Sequence, residues 1–400
     1  MISVAEARAR IVAAMRPTAP EMVALAEAWG RVAAADHASR LTQPPADVSA
    51  MDGFCLRAAD GALGATLAIV GSAPAGHPWA GMVGPGQAVR IFTGSVMPAG
   101  ADAVLIVEDA VEARGMVEVR EAVRAGRHIR RAGQDFTAGD VLVAAGTRIA
   151  ARAVGLLAAG NHPWVRVHRR PRVALLATGD EIALPGEPIP PGGIISSNAH
   201  ALAALVRAGG GEPVVLPVVA DDEAALAAAV EGLSCDLLVT TGGASVGAHD
   251  LVQPALARRG LRTDFWKIAM RPGKPLIFGA LGEVPMLGLP GNPVSALVCA
   301  VLFLLPALAR MQGLEGQGPA ESEAVLGAAL VANDHRADHL RARLAPGPDG
   351  RKVATAFARQ DSGMLRLLAE ADALILRPPH APSAAPGETV RVIEFGALGI

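Results

Sequence analysis

The chain has 400 residues, 51% of them hydrophobic, enough to bury sizeable cores and by length two to four domains. With 36 basic and 38 acidic residues the charge is close to balance, which argues against a nucleic-acid or membrane surface, so an anionic ligand must be caught locally. Cys55, Cys235 and Cys299 are far apart and lack CxxC spacing; neither a disulfide framework nor a cysteine zinc site is expected, and the cytoplasm is the default compartment.

Residues 3–15 have helical character, with Ser3 as N-cap and Glu6 at capping-box spacing. The charges of Glu6, Arg8 and Arg10 fall where a signal peptide needs its apolar segment. A second helix is expected over 21–36, with Gly30 ending it or marking a turn. At Leu41 the texture changes to short apolar runs punctuated by Gly and Pro, at Thr66–Val70, Ala88–Phe92, Ala103–Val107 and Met116–Val119. This predicts a β domain over 41–131, inserted between the two parts, 1–40 and 132–168, of a discontinuous helical domain. Two polar clusters interrupt the β domain, Asp47–Gly53 and Thr93–Ser95, and Gly133-Gln134-Asp135 leads out of it.

Residues 171–309 alternate strand and helix, which predicts a parallel sheet in an α/β domain over 169–312. A strongly apolar helix from Pro293 to about Leu308 must be buried nearly all round or pack against a partner subunit. Its apolar run, Ala296 to Ala309, is shorter than the ~20 residues a membrane span needs. After a linker, runs at Val325–Ala332, Leu340–Leu344, Val353–Ala358, Leu374–Leu376 and Thr389–Ile393 predict a β-barrel-like domain over 318–400.

Three loops stand out between Asp236 and Pro293. Gly242-Gly243-Ala-Ser245-Val-Gly247 follows an apolar strand and precedes a helix, so its N–H groups can turn towards one anion. Pro290-Gly291-Asn292-Pro293 supplies a second helix N-terminus, although proline at the first helical position is also a structural device. Arg271-Pro-Gly-Lys274-Pro is a stiffened loop holding two cations, with Lys267 one strand-length earlier. Arginine outnumbers lysine 33 to 3, so two of three lysines falling here suggests a need for a compact ammonium.

Asp250 lies three residues past the glycine loop, where it either caps the next helix or needs a cation between itself and an anion. If Asp52, Asp135 and Glu181 met it, each like-charged pair ~4 Å apart would repel by about 4 kcal/mol at an effective dielectric of 20. Such a cluster would call for Mg²⁺ or another hard cation. His335 and His339 are spaced i, i+4 without the glutamate of HExxH, and a solvated pair is expected. Arg341 and Asp361-Ser362-Gly363 could add a basic or hydroxyl contact.

The motifs DVSAMDGF, TGSVMPAGADAV, RRAGQDFTAGD, LLATGDE, SSNAHAL, TTGGASVGAHD, MRPGKPL, LPGNPVSA and QDSGMLRLLAEADALI together resemble the molybdopterin molybdenumtransferases, the MoeA family related to the E domain of gephyrin, over residues 1–396. The resemblance implies an elongated homodimer of four-domain subunits, whose α/β domain is similar to molybdopterin adenylyltransferases, an expected contact partner. It implies Mg²⁺-dependent insertion of molybdenum from molybdate into adenylated molybdopterin, with release of AMP, at an intersubunit site. By motif position it implies catalytic roles for Asp52, Asp135, Glu181 and Asp250, with Asp250 and Glu181 also at the metal. It implies substrate contacts from Thr93, Asp222, Gly242, Gly243, Ser245, Gly247, Lys267, Arg271, Lys274, Pro290, Pro293, Arg341 and Ser362. The sequence departs from the family at Ala46, Phe54, Arg271 and Asp372, none of which removes a needed charge. Two rival readings stand beside this one: adenylyl transfer onto molybdopterin, suggested by the α/β segment alone, and a non-catalytic binding or scaffold protein.

Overall fold

The computed structural model describes residues 1–242 and 252–400. These form two compact units, one of Met22–Trp29 and Ala35–Val165, the other of Met1–Glu21, Gly30–Ala34 and Arg166–Ile400.

The first unit is built on a six-stranded sheet in the order Ala103–Ile106, Gly53–Leu56, Gln87–Ile91, Thr66–Ala73, Met116–Val119, Ala110–Ala113. Alternation along Gly53–Leu56 sends Phe54 and Leu56 into one core with Leu67, Leu105 and Val117, and Cys55 into another with Val83, Val89 and Val104. Both faces are therefore covered. Gly53 is required by close approach, because a Cβ there would lie 2.0 Å from the Leu105 carbonyl oxygen. A helix, Ala151–Ala159, lies in the same unit.

The helix expected over 21–36 does not form. Pro20–Ala24 is extended, followed by a single 3₁₀ turn, Leu25–Glu27. Non-local carbonyls take the N–H groups that a helix would bond four residues back: the Leu25 N–H donates to Pro163 at 3.0 Å, and within the other unit the Ala34 N–H donates to Arg166 at 3.0 Å. Gly30, at φ +75, adopts a conformation that would break a helix in any case.

In the second unit, the predicted first helix forms as Val4–Ala14, and the Ser3 hydroxyl accepts the Glu6 N–H at 3.1 Å. Its Ala7 and Ile11 are fully buried beside the helix Pro293–Met311. The central sheet runs Glu212–Val215, Arg172–Ala177, Leu237–Thr241, Val284–Leu289, Pro275–Leu281, Leu261–Lys267. The first four strands are parallel, as expected. Pro275–Leu281 alone runs antiparallel to both its neighbours: Gly282 at φ +60 turns it directly back into Val284–Leu289 with no crossover, and Leu261–Lys267 pairs on its other side.

Helices cover both faces of this sheet, which is why its strands read as continuous apolar runs. Its strand Leu237–Thr241 starts at Asp236, whose carboxylate accepts two bonds from Arg169 at 2.8 Å and the Arg172 N–H at 2.7 Å. Burial pushes Asp236 up, but these donors outweigh it and hold the carboxyl below its ordinary range. The apolar helix reaches Met311 and so spans 19 residues, enough by length and composition to cross a membrane, but it is mostly buried in this core. Pro306 lies just past a π-helical turn, Ala300–Leu304, a local rewinding that lets the helix continue.

The C-terminal sheet closes on itself. Ala337–Pro346 pairs with both Lys352–Ala356 and Ala373–Arg377, and Ser322–Leu326 and Thr389–Glu394 complete the ring. The first strand ends earlier than the run 325–332 suggests, since Gly327 packs where a Cβ would meet Thr355 at 2.2 Å. A sixth strand, Met270–Arg271, joins from the α/β sequence and runs parallel to Ala337–Asp338.

Candidate active site

The register of the parallel strands aligns Ala177, Thr241 and Leu289 at one edge. The loops that follow them bound a cleft of about 700 Å³, together with Ile194–Asn198 and Gly363. This is the carboxyl-end crevice where open α/β sheets bind ligands. Glycine lets the loops meet: Gly242 sits at φ +91, and a Cβ there would lie 2.7 Å from the Thr178 carbonyl oxygen. The Asn198 side-chain amide donates to the Gly291 carbonyl at 2.7 Å, and the Asn292 amide to the Ser362 hydroxyl at 3.1 Å. The Val294 N–H, in the first turn of the long helix, donates to the Ser362 carbonyl at 3.1 Å. The QDSG loop is thus docked on the proline loop.

Two polar atoms of the cleft lining are buried with no partner among the described residues, the Thr178 hydroxyl oxygen and the Asn198 side-chain oxygen. Buried polar groups are satisfied in the great majority of cases, so both point to a polar ligand in this cleft. Thr178 and Asn198 were not among the expected contacts; the signal for them is a hydroxyl or amide immediately after a strand or at a helix start on the ligand edge.

Of the expected residues, Glu181, Gly242, Pro290 and Pro293 line the cleft, and Ser362 braces its wall. Gly243, Ser245, Gly247 and Asp250 lie outside the described residues. Lys267, Arg271 and Lys274 are not in the lining, although Pro275 beside them is. The Lys267 ammonium stands 3.8 Å from the centre of the Trp266 ring. Lys274 is exposed. Arg271 is ion-paired, its Nη2 donating to Asp334 at 2.8 Å with its Nε 3.7 Å from Asp338.

Three expectations change with their surroundings. Asp222 is the N-cap of the helix Glu223–Val230, accepting the Ala225 N–H at 2.8 Å, and does not line the cleft. Arg341 is 1% exposed and donates to the side chain of Gln360 and to the carbonyls of Met364 at 3.1 Å and Asp361 at 3.0 Å. It braces the QDSG loop from behind. His339 is not solvated either: it lies buried in the strand Ala337–Pro346, where burial pushes its pKa down to about 4, whereas His335 is exposed.

Asp52, Thr93 and Asp135 belong to the other unit, and all three are exposed there. The two polar clusters of the β domain come together: the Ser49 N–H donates to the Ser95 carbonyl and the Gly94 N–H to the Ser49 carbonyl, both at 2.9 Å. Asp52 accepts the Thr93 N–H at 2.6 Å and its hydroxyl at 2.7 Å, which hold its carboxyl below the ordinary range. The Ala132 N–H donates to Asp47 at 2.9 Å, tying the AGQD segment to the first cluster.

Among the described residues no three His, Cys, Asp or Glu side chains gather as a metal cage. Glu181 is the one carboxylate in the described cleft lining. That donor set fits Mg²⁺, which is usually held by one or two carboxylates and substrate oxygens rather than by a protein cage.

A two-unit molecule with a polar ligand cleft at the carboxyl edge of its α/β sheet is the class defined by fold and site. Residues 174–310 match the model of a probable molybdopterin binding domain, residues 2–160 the MoeA N-terminal region (domain I and II) and residues 323–395 the MoeA C-terminal region (domain IV). The chain is 34% identical to the molybdopterin molybdenumtransferase of Nostoc sp., over 94% of this chain and 88% of that one. It is 32% identical to that of Haemophilus influenzae over 100% of both. The crystal structure of a molybdopterin biosynthesis MoeA protein from Pyrococcus horikoshii OT3 superposes with a TM-score of 0.85 at 27% identity, covering 98% of this chain and 99% of that one. The chain belongs to the molybdopterin molybdenumtransferase (MoeA) family, transferases of molybdenum cofactor biosynthesis.

Proposed function

We propose that this chain transfers molybdenum from molybdate to adenylated molybdopterin and releases AMP in a step that needs Mg²⁺. The observation that carries the reading is the cleft at the carboxyl edge of the sheet, with its Thr178 and Asn198 oxygens that have no partner among the described residues and its docked proline loop. The Thr178 hydroxyl can donate to a phosphate or pterin oxygen, and the Asn198 side-chain oxygen can accept from a pterin N–H. Gly242 and the positive end of the long helix lie at the same edge. Glu181 would hold the divalent cation jointly with substrate oxygens, and a bound cation would polarise the pyrophosphate as a Lewis acid. Asp250, by its place after the glycine loop, would share that role.

We further read the working form as a cytoplasmic homodimer whose site is completed by the partner subunit's β unit, and which receives its substrate from a molybdopterin adenylyltransferase. What supports the first part is that Asp52, Thr93 and Asp135 are exposed in their own unit, with Asp52 held ionised. The test is AMP release from adenylated molybdopterin with and without molybdate and Mg²⁺, for the wild type and for Glu181→Gln and Asp250→Asn. Release is expected only when Mg²⁺ is present, and to fall in both variants. No release under any combination, or adenylation of metal-free molybdopterin with ATP, would sink the reading.

A further inference from the structure

Arg271 is held from two directions by one short segment of the C-terminal barrel. Its backbone runs in the strand Met270–Arg271 beside Ala337–Asp338, and the Ala337 N–H donates to the Ala269 carbonyl at 2.9 Å. Its side chain meets the same segment: Nη2 donates to Asp334 at 2.8 Å, and Nε is 3.7 Å from an oxygen of Asp338. That Asp338 oxygen has no hydrogen-bond partner among the described residues, and the residue is only 7% exposed.

Nε and Nη2 form the side edge of the guanidinium plane, so the two carboxylates face one edge of a rigid fork. Nη1 makes no bond to the described residues. Asp334 is itself fixed, since Arg336 reaches it through its backbone N–H at 2.9 Å and its Nη2 at 2.6 Å. Arg336 first, and Arg271 after it, keep the Asp334 carboxyl well below the ordinary range, so it remains an anion at all working pH values. His335, the remaining titratable group facing it, has its Nδ1 4.0 Å away.

An exposed ion pair is worth little to stability, about 0–1 kcal/mol, so such an arrangement has small value as a structural tie. Its effect is orientation. We propose that Asp334 is a positioning residue for Arg271: with Asp338 it fixes the side edge of the guanidinium and so presents the free Nη1 edge to a tetrahedral oxyanion of the substrate, molybdate or phosphate. This rests on the reading of Arg271 as an oxyanion contact of the family reaction. The loop that carries Arg271 continues into Pro275, which lines the cleft. The C-terminal barrel thereby acts on the site through a residue that belongs to the α/β sequence.

The test is calorimetric titration of the full-length protein with molybdate and, separately, with AMP, using wild type, Arg271→Ala, Asp334→Asn, Asp334→Glu and the Arg271→Ala/Asp334→Asn double variant. Asp334→Asn should weaken at least one of the two ligands by about five- to tenfold, the range of a lost charge-assisted contact. The ligand that responds identifies which oxyanion Arg271 meets. Asp334→Glu should recover part of the affinity, urea midpoints should stay near wild type, and the double variant should bind no more weakly than Arg271→Ala. If Arg271→Ala weakens binding while Asp334→Asn does not, or if the two losses add in the double variant, positioning by Asp334 is wrong and the reading of Arg271 survives. If Arg271→Ala binds both ligands as wild type does, the reading of Arg271 fails and the proposal with it.

Discussion

Thr93 donates both its backbone N–H and its hydroxyl to one oxygen of Asp52, at 2.6 and 2.7 Å. The backbone donor is the larger cause of the lowered Asp52 pKa and the hydroxyl the second. Thr93→Ala removes only the hydroxyl, so the Asp52 pKa should rise part of the way back towards the ordinary carboxylate value. Sign follows from the ionised form being the one retained: the acid limb of the AMP-release profile should move to higher pH in the variant. Turnover at neutral pH should drop by about tenfold through loss of orientation. A carboxyl-detected NMR titration checks the first part and a pH–rate profile the second; an unmoved acid limb would detach Asp52 from the reaction.

Arg341 is the largest fully buried side chain among the described residues, and its donors end on Gln360, Asp361 and Met364. Arg341→Ala removes the guanidinium donors of the Met364 and Asp361 carbonyls and empties a fully buried space, and about 3 kcal/mol overall is expected. Arg341→Lys should recover little, because an ammonium cannot span the same fork of acceptors. Urea unfolding measures the loss. A direct ligand contact would instead leave stability near wild type and change only affinity.

Gly242 should tolerate no side chain. At φ +91 with a would-be Cβ 2.7 Å from the Thr178 carbonyl oxygen, alanine meets both backbone strain and a collision with main chain. Gly242→Ala is expected to cost about 2–3 kcal/mol and to open the Thr178 loop away from the cleft. A lowered urea midpoint together with weakened molybdopterin binding is the expected pair of results; wild-type affinity would show that this close approach is not needed by the ligand.

Much of this was legible in the sequence because glycine and proline mark backbone geometry that no long-range contact can replace. Gly242, Pro290 and Pro293 were found at the cleft for that reason, and the alternation over 171–309 disclosed the parallel part of the sheet. His339 was misjudged, and the protein partners of Arg341 and Asp222 went unseen, for the opposite reason. A polar side chain has the same letter whether its partner is a ligand, a helix end or a buried carbonyl, and the partners here come from remote strands and loops. The strand Leu261–Lys267 was equally hidden, since its antiparallel pairing depends on a return past the RPGKP loop that no local periodicity encodes.

His339 gives a pH dependence with a definite sign. The barrel buries its ring, burial is the main cause of a pKa near 4 in the folded chain, and its Nδ1 has no partner among the described residues. In the unfolded chain the same group titrates near the ordinary value of about 6.5. Between those two values the unfolded state binds the proton and the folded state does not, so folding loses free energy as pH falls from about 6.5 to about 4. Above 6.5 both states are neutral at this residue and its contribution is flat. The whole fall is on the order of 3 kcal/mol at about 1.4 kcal/mol per unit. His339→Gln keeps a polar side chain of similar reach but does not titrate, so its urea midpoint should be less sensitive to pH over that window than the wild type's. Equal slopes for the two proteins from pH 6.5 to 4 would show that the buried imidazole does not control acid stability.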